Sequence, residues 1–276
     1  MKNEKTEASS LASETTEEPA LTKKRFPTSI RRVSKIAALV VAIAIFGSIA
    51  LFTTVIVMAN SSSIRGTRAE FEFLRDLAGR IEAGVGGSSV YELSALDIEM
   101  LEINPDYVFW IRIDGTNIDY PVVRGSDNVK YINTSFYGED NVVGTIFMDY
   151  RNTGEIISHR AGGSLPHIIL YGHNLQQGGM FSDLHKYRSA LFLERNDIIT
   201  LTVHGETVEF RIFDARVTDV DDPAYFLNFN RPHSFPRFAN RIDAPLRATQ
   251  IITLSTCVSG GSDDTRLIVQ GYRLFN

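Results

Sequence analysis

Cys257 is the only cysteine among 276 residues, and it ends the apolar run QIITLSTC just before the loop residues VSGGSDD. A strand running into a Gly/Ser/Asp loop puts a thiol at a sheet rim, where a substrate reaches it. As a thiolate it is a nucleophile, and it then needs a partner that handles protons. His173 follows the apolar run HIILYG and precedes Asn174, so it also stands at a strand end beside a turn. An imidazole there exchanges protons near neutral pH. Arg266 opens the run RLIVQGYRLF nine residues after Cys257, and loop 258–265 can bring the two rims together. A guanidinium stays charged and presents several donors, which suits an oxyanion or a peptide carbonyl. Each position also has an ordinary reading: an inert buried thiol, a turn histidine, an ion-paired surface arginine. His159, His185, His204 and His233 stand in polar or turn contexts and read as surface residues, and His167 opens a strand with a structural side chain.

The elements that must position these groups change character along the chain. Residues 67–81 place Phe71, Leu74, Leu77, Ala78 and Ile81 at helical spacing, and Gly84, Gly86 and Gly87 break it. A second helix is predicted over 90–103, entered from Ser88 or Ser89, with Leu93, Leu96, Met100 and Leu101 on one side. From Tyr107 the pattern is that of strands. VFWIRI and IDYPVV flank an Asp114-Gly115 turn as a hairpin. Further runs cover 144–148, 167–171, 198–203, 207–217, 250–255 and 266–274. The outer portion, 105–276, is therefore predicted to be a mostly antiparallel β domain with a helical arm at 60–104.

The N-terminal part is different again. Residues 1–22 are rich in Glu, Ser, Thr and Ala and read as a disordered tail, the first part of a tail segment 1–35 that carries net charge +3. Residues 36–59 carry no charge and have only Ser48, Thr53 and Thr54 as polar interruptions. At ~1.5 Å per residue they cross a ~30 Å hydrocarbon core. The run is too long for the apolar part of a secretory signal, and Met58-Ala59-Asn60 is a poor cleavage site. Lys23, Lys24, Arg25, Arg31, Arg32 and Lys35 crowd one flank, which predicts a single-pass anchor with a cytoplasmic N-terminus and the main domain outside. Residues 60–276 carry net charge −8 without a basic stripe, which argues against nucleic acid as a partner. One cysteine excludes an internal disulfide and multi-cysteine structural zinc.

Together, LSTC, Arg266 at the start of the following strand, and a YGHN strand end upstream resemble the sortases, cysteine transpeptidases that attach proteins to the bacterial cell wall. The resemblance covers about residues 67–276. Class B is the nearest pattern: GTIFMDYRN at 144–152, GGMFSDLHKY at 178–187, TLSTC at 253–257, and a long insert between about 219 and 250. The insert's aromatic residues Tyr225, Phe226, Phe229, Phe235 and Phe238 fit the extra helix that class B carries before the cysteine strand. Val258 departs from the acidic or polar residue usual after the cysteine.

The resemblance implies an eight-stranded sortase-type β-barrel with the N-terminal helical arm, the helix-containing insert and one preceding transmembrane helix. It assigns Cys257 as nucleophile, His173 as acid/base and Arg266 as oxyanion or substrate clamp. Ser255, Asn128, Ile132, Tyr225 and Phe226 are its substrate-binding candidates, although Asn128 also reads as a helix cap and the aromatics as core. No metal or organic cofactor is implied. The implied partners are surface proteins with a C-terminal sorting signal of NPxTx-like or xPxTG-like type, and an amine acceptor from a peptidoglycan cross-bridge. Three rival readings stand beside it: a pilus-assembling sortase with a pilin lysine as acceptor, a tethered cysteine protease, and a non-catalytic wall-binding domain. Papain-like enzymes place Cys before His, the reverse of the order here.

Overall fold

The computed structural model describes residues 28–84, 93–156 and 164–275. The tail at 1–22, the glycine break after Gly84 and the Ser88/Ser89 helix entry lie outside the described residues. The chain divides into two units, residues 1–56 and 57–276.

Helix α1 (Thr28–Gly84) joins what the sequence reading kept as two elements, and it begins inside the segment read as tail. No proline interrupts residues 28–84, so nothing forces a break at Asn60–Ser63. In the first unit, the apolar side chains from Leu39 to Ile56 are exposed, and the hydroxyls of Ser48, Thr53 and Thr54 bond back to the Ala44 and Ala50 carbonyls. Among the described residues, Leu39–Ile81 is the one helical segment long and apolar enough to cross a membrane.

In the second unit, Phe71, Leu74 and Ala78 are buried, with Leu77 and Ile81 packed beside them, as the helical spacing predicts. Helix α2 (Ala95–Ile103) starts later than expected. Ser94 is its cap: Ser94 Oγ accepts from the Asp97 amide at 3.1 Å, and the Asp97 carboxylate accepts from the Ser94 amide at 3.0 Å. This reciprocal pair satisfies two orphan donors and sets the boundary, leaving Leu93 outside the helix and exposed.

The strands are β1 (Tyr107–Arg112), β2 (Asp119–Val123), β3 (Phe147–Met148), β4 (His167–Tyr171), β5 (Ile198–Val203), β6 (Glu206–Asp219), β7 (Ile251–Cys257) and β8 (Thr265–Arg273). They close into a barrel in the order β1-β2-β3-β4-β7-β8-β6-β5. Six of the eight neighbouring pairs are antiparallel, whereas β2–β3 and β4–β7 are parallel. The parallel β4–β7 pair needs a long crossover, which β5, β6 and the insert supply. The β1–β2 hairpin forms as expected, with a loop wider than a two-residue turn in which Gly115 takes φ +78°. A short helix α3 (Ala190–Arg195), capped by Ser189, precedes β5.

Side-chain alternation separates two faces. Ile168 and Leu170 of β4, Ile252 and Leu254 of β7, and Leu267 and Val269 of β8 point into the main core. The residues between them face outward, and there the insert covers the sheet. Helix α4 (Ser234–Arg241) lays Phe238 against Ile251 and Tyr272, with Phe229 and Phe235 packed around it, as a second, smaller core. The helix-containing insert expected from the sequence is therefore the roof over the outer face of β4, β7 and β8.

Candidate active site

The same alternation places the three chemistry-bearing residues. Cys257 shares its parity with Thr253 and Ser255 on the outer face of β7, and Arg266 lies directly across from it in the antiparallel β7–β8 ladder. Directly opposed residues hold their Cβ atoms ~4.5–5.5 Å apart on one face. β4 and β7 run parallel with Tyr171 beside Ser255, and the Gly172 amide continues the ladder to the Ser255 carbonyl at 3.2 Å. His173 follows two residues after Tyr171, and it lines the same cavity as Cys257. The Cys257 residue is exposed and unpaired.

His173 is oriented from outside the sheet. Its Nε2 lies 2.8 Å from the Ile132 carbonyl oxygen. A carbonyl only accepts, so Nε2 carries the proton and Nδ1 is left for proton exchange. Two glycines keep this arrangement open. At Gly144 (φ +65°) a Cβ would stand 2.4 Å from the Ile132 carbonyl oxygen, and at Gly172 it would press on the Phe181 ring.

Asn174 and His185 emerge only in three dimensions. Asn174 Nδ2 donates toward the Cys257 carbonyl at 3.1 Å and Ser259 Oγ at 2.9 Å, and lies 3.0 Å from His185 Nε2. His185 reads as surface in the sequence, and Asn174, eleven residues earlier, reaches it only through the fold of the intervening loop.

The three residues open onto a cleft of about 730 Å³ whose lining includes Asn128, Ile132, Tyr225, Phe226 and Ser255. All five substrate-binding candidates thus share one cavity with Cys257, His173 and Arg266. Tyr225 stacks parallel to Tyr171 at 6.5 Å and its hydroxyl meets Ser255 Oγ at 2.8 Å. Asn128 is not a helix cap. Asp127 Oδ1 takes the Val129 and Lys130 amides, while Asn128 Nδ2 donates to Asp149 at 3.0 Å and its carbonyl accepts the Tyr150 amide.

Asp149 is the charged anchor beneath the cleft. It is fully buried and accepts from Arg151 at 2.7 Å, Tyr171 at 2.9 Å and Asn128. Burial opposes its charge, but these hydrogen bonds outweigh it and hold the carboxyl below the usual range. Nothing local marks its role, since Tyr171 and Asn128 lie 22 and 21 residues away along the chain. His167, as expected, is structural. Its ring is fully buried under the insert, Nδ1 meets the Phe226 carbonyl and Nε2 meets Thr253 Oγ1, both at 2.8 Å. Burial pulls its pKa down to about 4. No group of three metal-ligating side chains occurs among the described residues.

Residues 111–274 match the Sortase domain family model. The chain is 33% identical over 181 residues to Sortase B of Staphylococcus aureus, covering 62% of this chain and 71% of that protein. It is 30% identical over 183 residues to Sortase B of Listeria monocytogenes, covering 63% and 72%. The structure of a Staphylococcus aureus sortase B–substrate complex superposes with TM-score 0.63 at 26% identity, covering 77% of this chain and 98% of that one. Clostridium perfringens sortase B gives 0.57 at 26% identity, covering 64% and 99%. A closed eight-stranded barrel with a roofing insert, and a family match across nearly all of it, lead to one conclusion: the chain belongs to the sortase family and is a class B-like cysteine transpeptidase.

Proposed function

We propose that Cys257 is the nucleophile, His173 the acid/base and Arg266 the oxyanion or carbonyl clamp of this transpeptidase. One observation supports the assignment: the sole cysteine faces Arg266 across the β7–β8 ladder, and both share one cleft with His173. The Cys257 sulfur attacks the carbonyl of a sorting-signal threonine, forming a C–S bond. The thiol proton passes to Nδ1 of His173, and the C–N bond breaks as His173 hands that proton to the departing amine. The negative oxygen that develops meets a guanidinium that is charged throughout. An incoming amine from a peptidoglycan cross-bridge then attacks the thioester, His173 removes its proton, and the thiol is released. One peptide bond is exchanged for another, so the energy of the first is kept in the thioester.

Ser255, Asn128, Ile132, Tyr225 and Phe226 line the acyl side of this cleft in the proposal. The basic residues before 36–59 and the uncharged run itself support an anchor with its N-terminus in the cytoplasm, an extracellular arm at 60–104 and the catalytic domain at 105–276. A fluorogenic library of NPxTx-like and xPxTG-like peptides tests the reaction. Cys257-dependent cleavage that diverts to an amide product when amine is added supports it. Hydrolysis indifferent to amines, or cleavage that survives Cys257→Ala, contradicts it.

A further inference from the structure

A second concavity of about 330 Å³ opens beyond the catalytic cleft, and Pro223, Phe226 and Arg241 line both. Phe238 also contributes to its wall, and its rim carries three guanidinium groups: Arg231, Arg237 and Arg241. All three side chains are exposed. Among the described residues no carboxylate pairs with any of them; Arg237 donates only to the Pro232 carbonyl. The nearby Asp222 is engaged by Arg216 and Thr218, and Asp221 lines the first cleft only. Three unpaired cations around one hollow stand out on residues 60–276, which carry net charge −8. Guanidinium groups held this way match carboxylates.

The position of this hollow determines which carboxylates reach it. His167 opens β4 and bonds to the Phe226 carbonyl, whereas His173 follows the other end of β4. Six residues at ~3.3 Å each separate the two ends by about 20 Å. An extended peptide whose scissile threonine sits at Cys257, and whose acyl half runs past Ser255 and Tyr225, enters the second hollow on the order of six residues upstream.

We propose that this groove binds acidic side chains of the protein substrate on the N-terminal flank of its sorting signal, and so selects among substrates; the inference rests on the reaction proposed above. The test uses the full chain as Cys257→Ala in detergent, with fluorescein-labelled peptides around an NPxTx-like core. Three Glu residues are placed about six positions before the threonine, or replaced by Gln, or moved to the C-terminal flank. Anisotropy should show the N-flank Glu peptide binding about tenfold tighter than the Gln peptide at low salt, an advantage that high salt removes. Arg231→Gln and Arg237→Gln together, both outside the catalytic cleft, should abolish the advantage and leave Gln-peptide affinity unchanged. As a second variant, Arg237→Glu with Arg241→Glu should reverse the preference toward Lys-flanked peptides. Equal affinity for Glu and Gln peptides, a preference that survives the arginine substitutions, or a preference confined to the C-terminal flank would each overturn the proposal. Turnover by the wild-type chain is scored separately. Loss of Cys257-dependent cleavage with Glu-dependent binding intact would sink the reaction and spare the groove.

Discussion

Asn174 donates its side-chain amide to the carbonyl of Cys257, 83 positions further along the chain. The bond ties the loop that follows His173 to the residue that carries the thiol, and Ser259 in the next loop takes the same amide group. A net hydrogen bond contributes about 0.5–1.5 kcal/mol, so Asn174→Ala should lower the single-turnover acylation rate about tenfold. KM should hardly move, because the side chain acts through Cys257 and not on the peptide. Asn174→Asp, which lacks the donor, should fail to recover the rate. An acylation rate within twofold of wild type would show that the bond does not position the thiol.

Arg266 is exposed enough to meet substrate and stands opposite Cys257. Removing one donor from an oxyanion site costs ~10²–10³ in kcat. Arg266→Ala should fall in that range, and Arg266→Lys should recover only part of it, since a point charge replaces a fork of donors. Stopped-flow acylation reads both, and an alanine variant with near-normal kcat would remove Arg266 from the chemistry.

The backbone around Ile132 makes a different kind of prediction. Gly144→Ala drives a Cβ into the carbonyl that His173 Nε2 contacts, at a residue already in the left-handed region. The shift should lower the single-turnover acylation rate with little change in KM, because the group that orients the imidazole moves. Gly138→Ala, at a similar φ with open space around it, is the control: it should strain the backbone and leave the acylation rate in place.

Legibility in the sequence followed the range of the interactions. HIILYG and QIITLSTC read locally as apolar strands, so the strand-end chemistry of His173 and Cys257 was legible; both strands are buried on both faces along most of their length, so which side chains face the insert was not. The aromatic insert was legible as a helix-bearing segment, although not as the roof of a second core. What escaped is drawn together only by the fold. Asp149 looks like any acidic residue until Arg151, Tyr171 and Asn128 close over it, and His185 looks like surface until Asn174 reaches it. The start of α2 is ambiguous in sequence because Glu92 stands three residues after Ser89 just as Asp97 stands three after Ser94, and the fold uses the second pair.

The buried His167 predicts how stability varies with pH. Its folded pKa of about 4 lies below the ordinary value of about 6.5, so between these the unfolded chain takes up a proton that the folded chain refuses. Stability should therefore fall as pH drops from about 6.5 to about 4, by roughly 3 kcal/mol in all, and His167 adds no further slope below that. Asp149 acts in the same direction at lower pH, where protonation removes the bonds that depress its pKa. Urea unfolding of His167→Gln should show a flatter profile in the upper window. An unchanged slope there would place the titration elsewhere.

The central claim is a thioester on Cys257, and intact-mass spectrometry tests it most directly. The full chain is mixed with a cleavable sorting-type peptide without amine, quenched in acid and mapped. The account predicts a mass gain equal to the acyl half of the peptide, on Cys257, that disappears when amine is added and never forms in Cys257→Ala. Peptide consumed with no adduct on Cys257, or with an adduct on another residue, would contradict it.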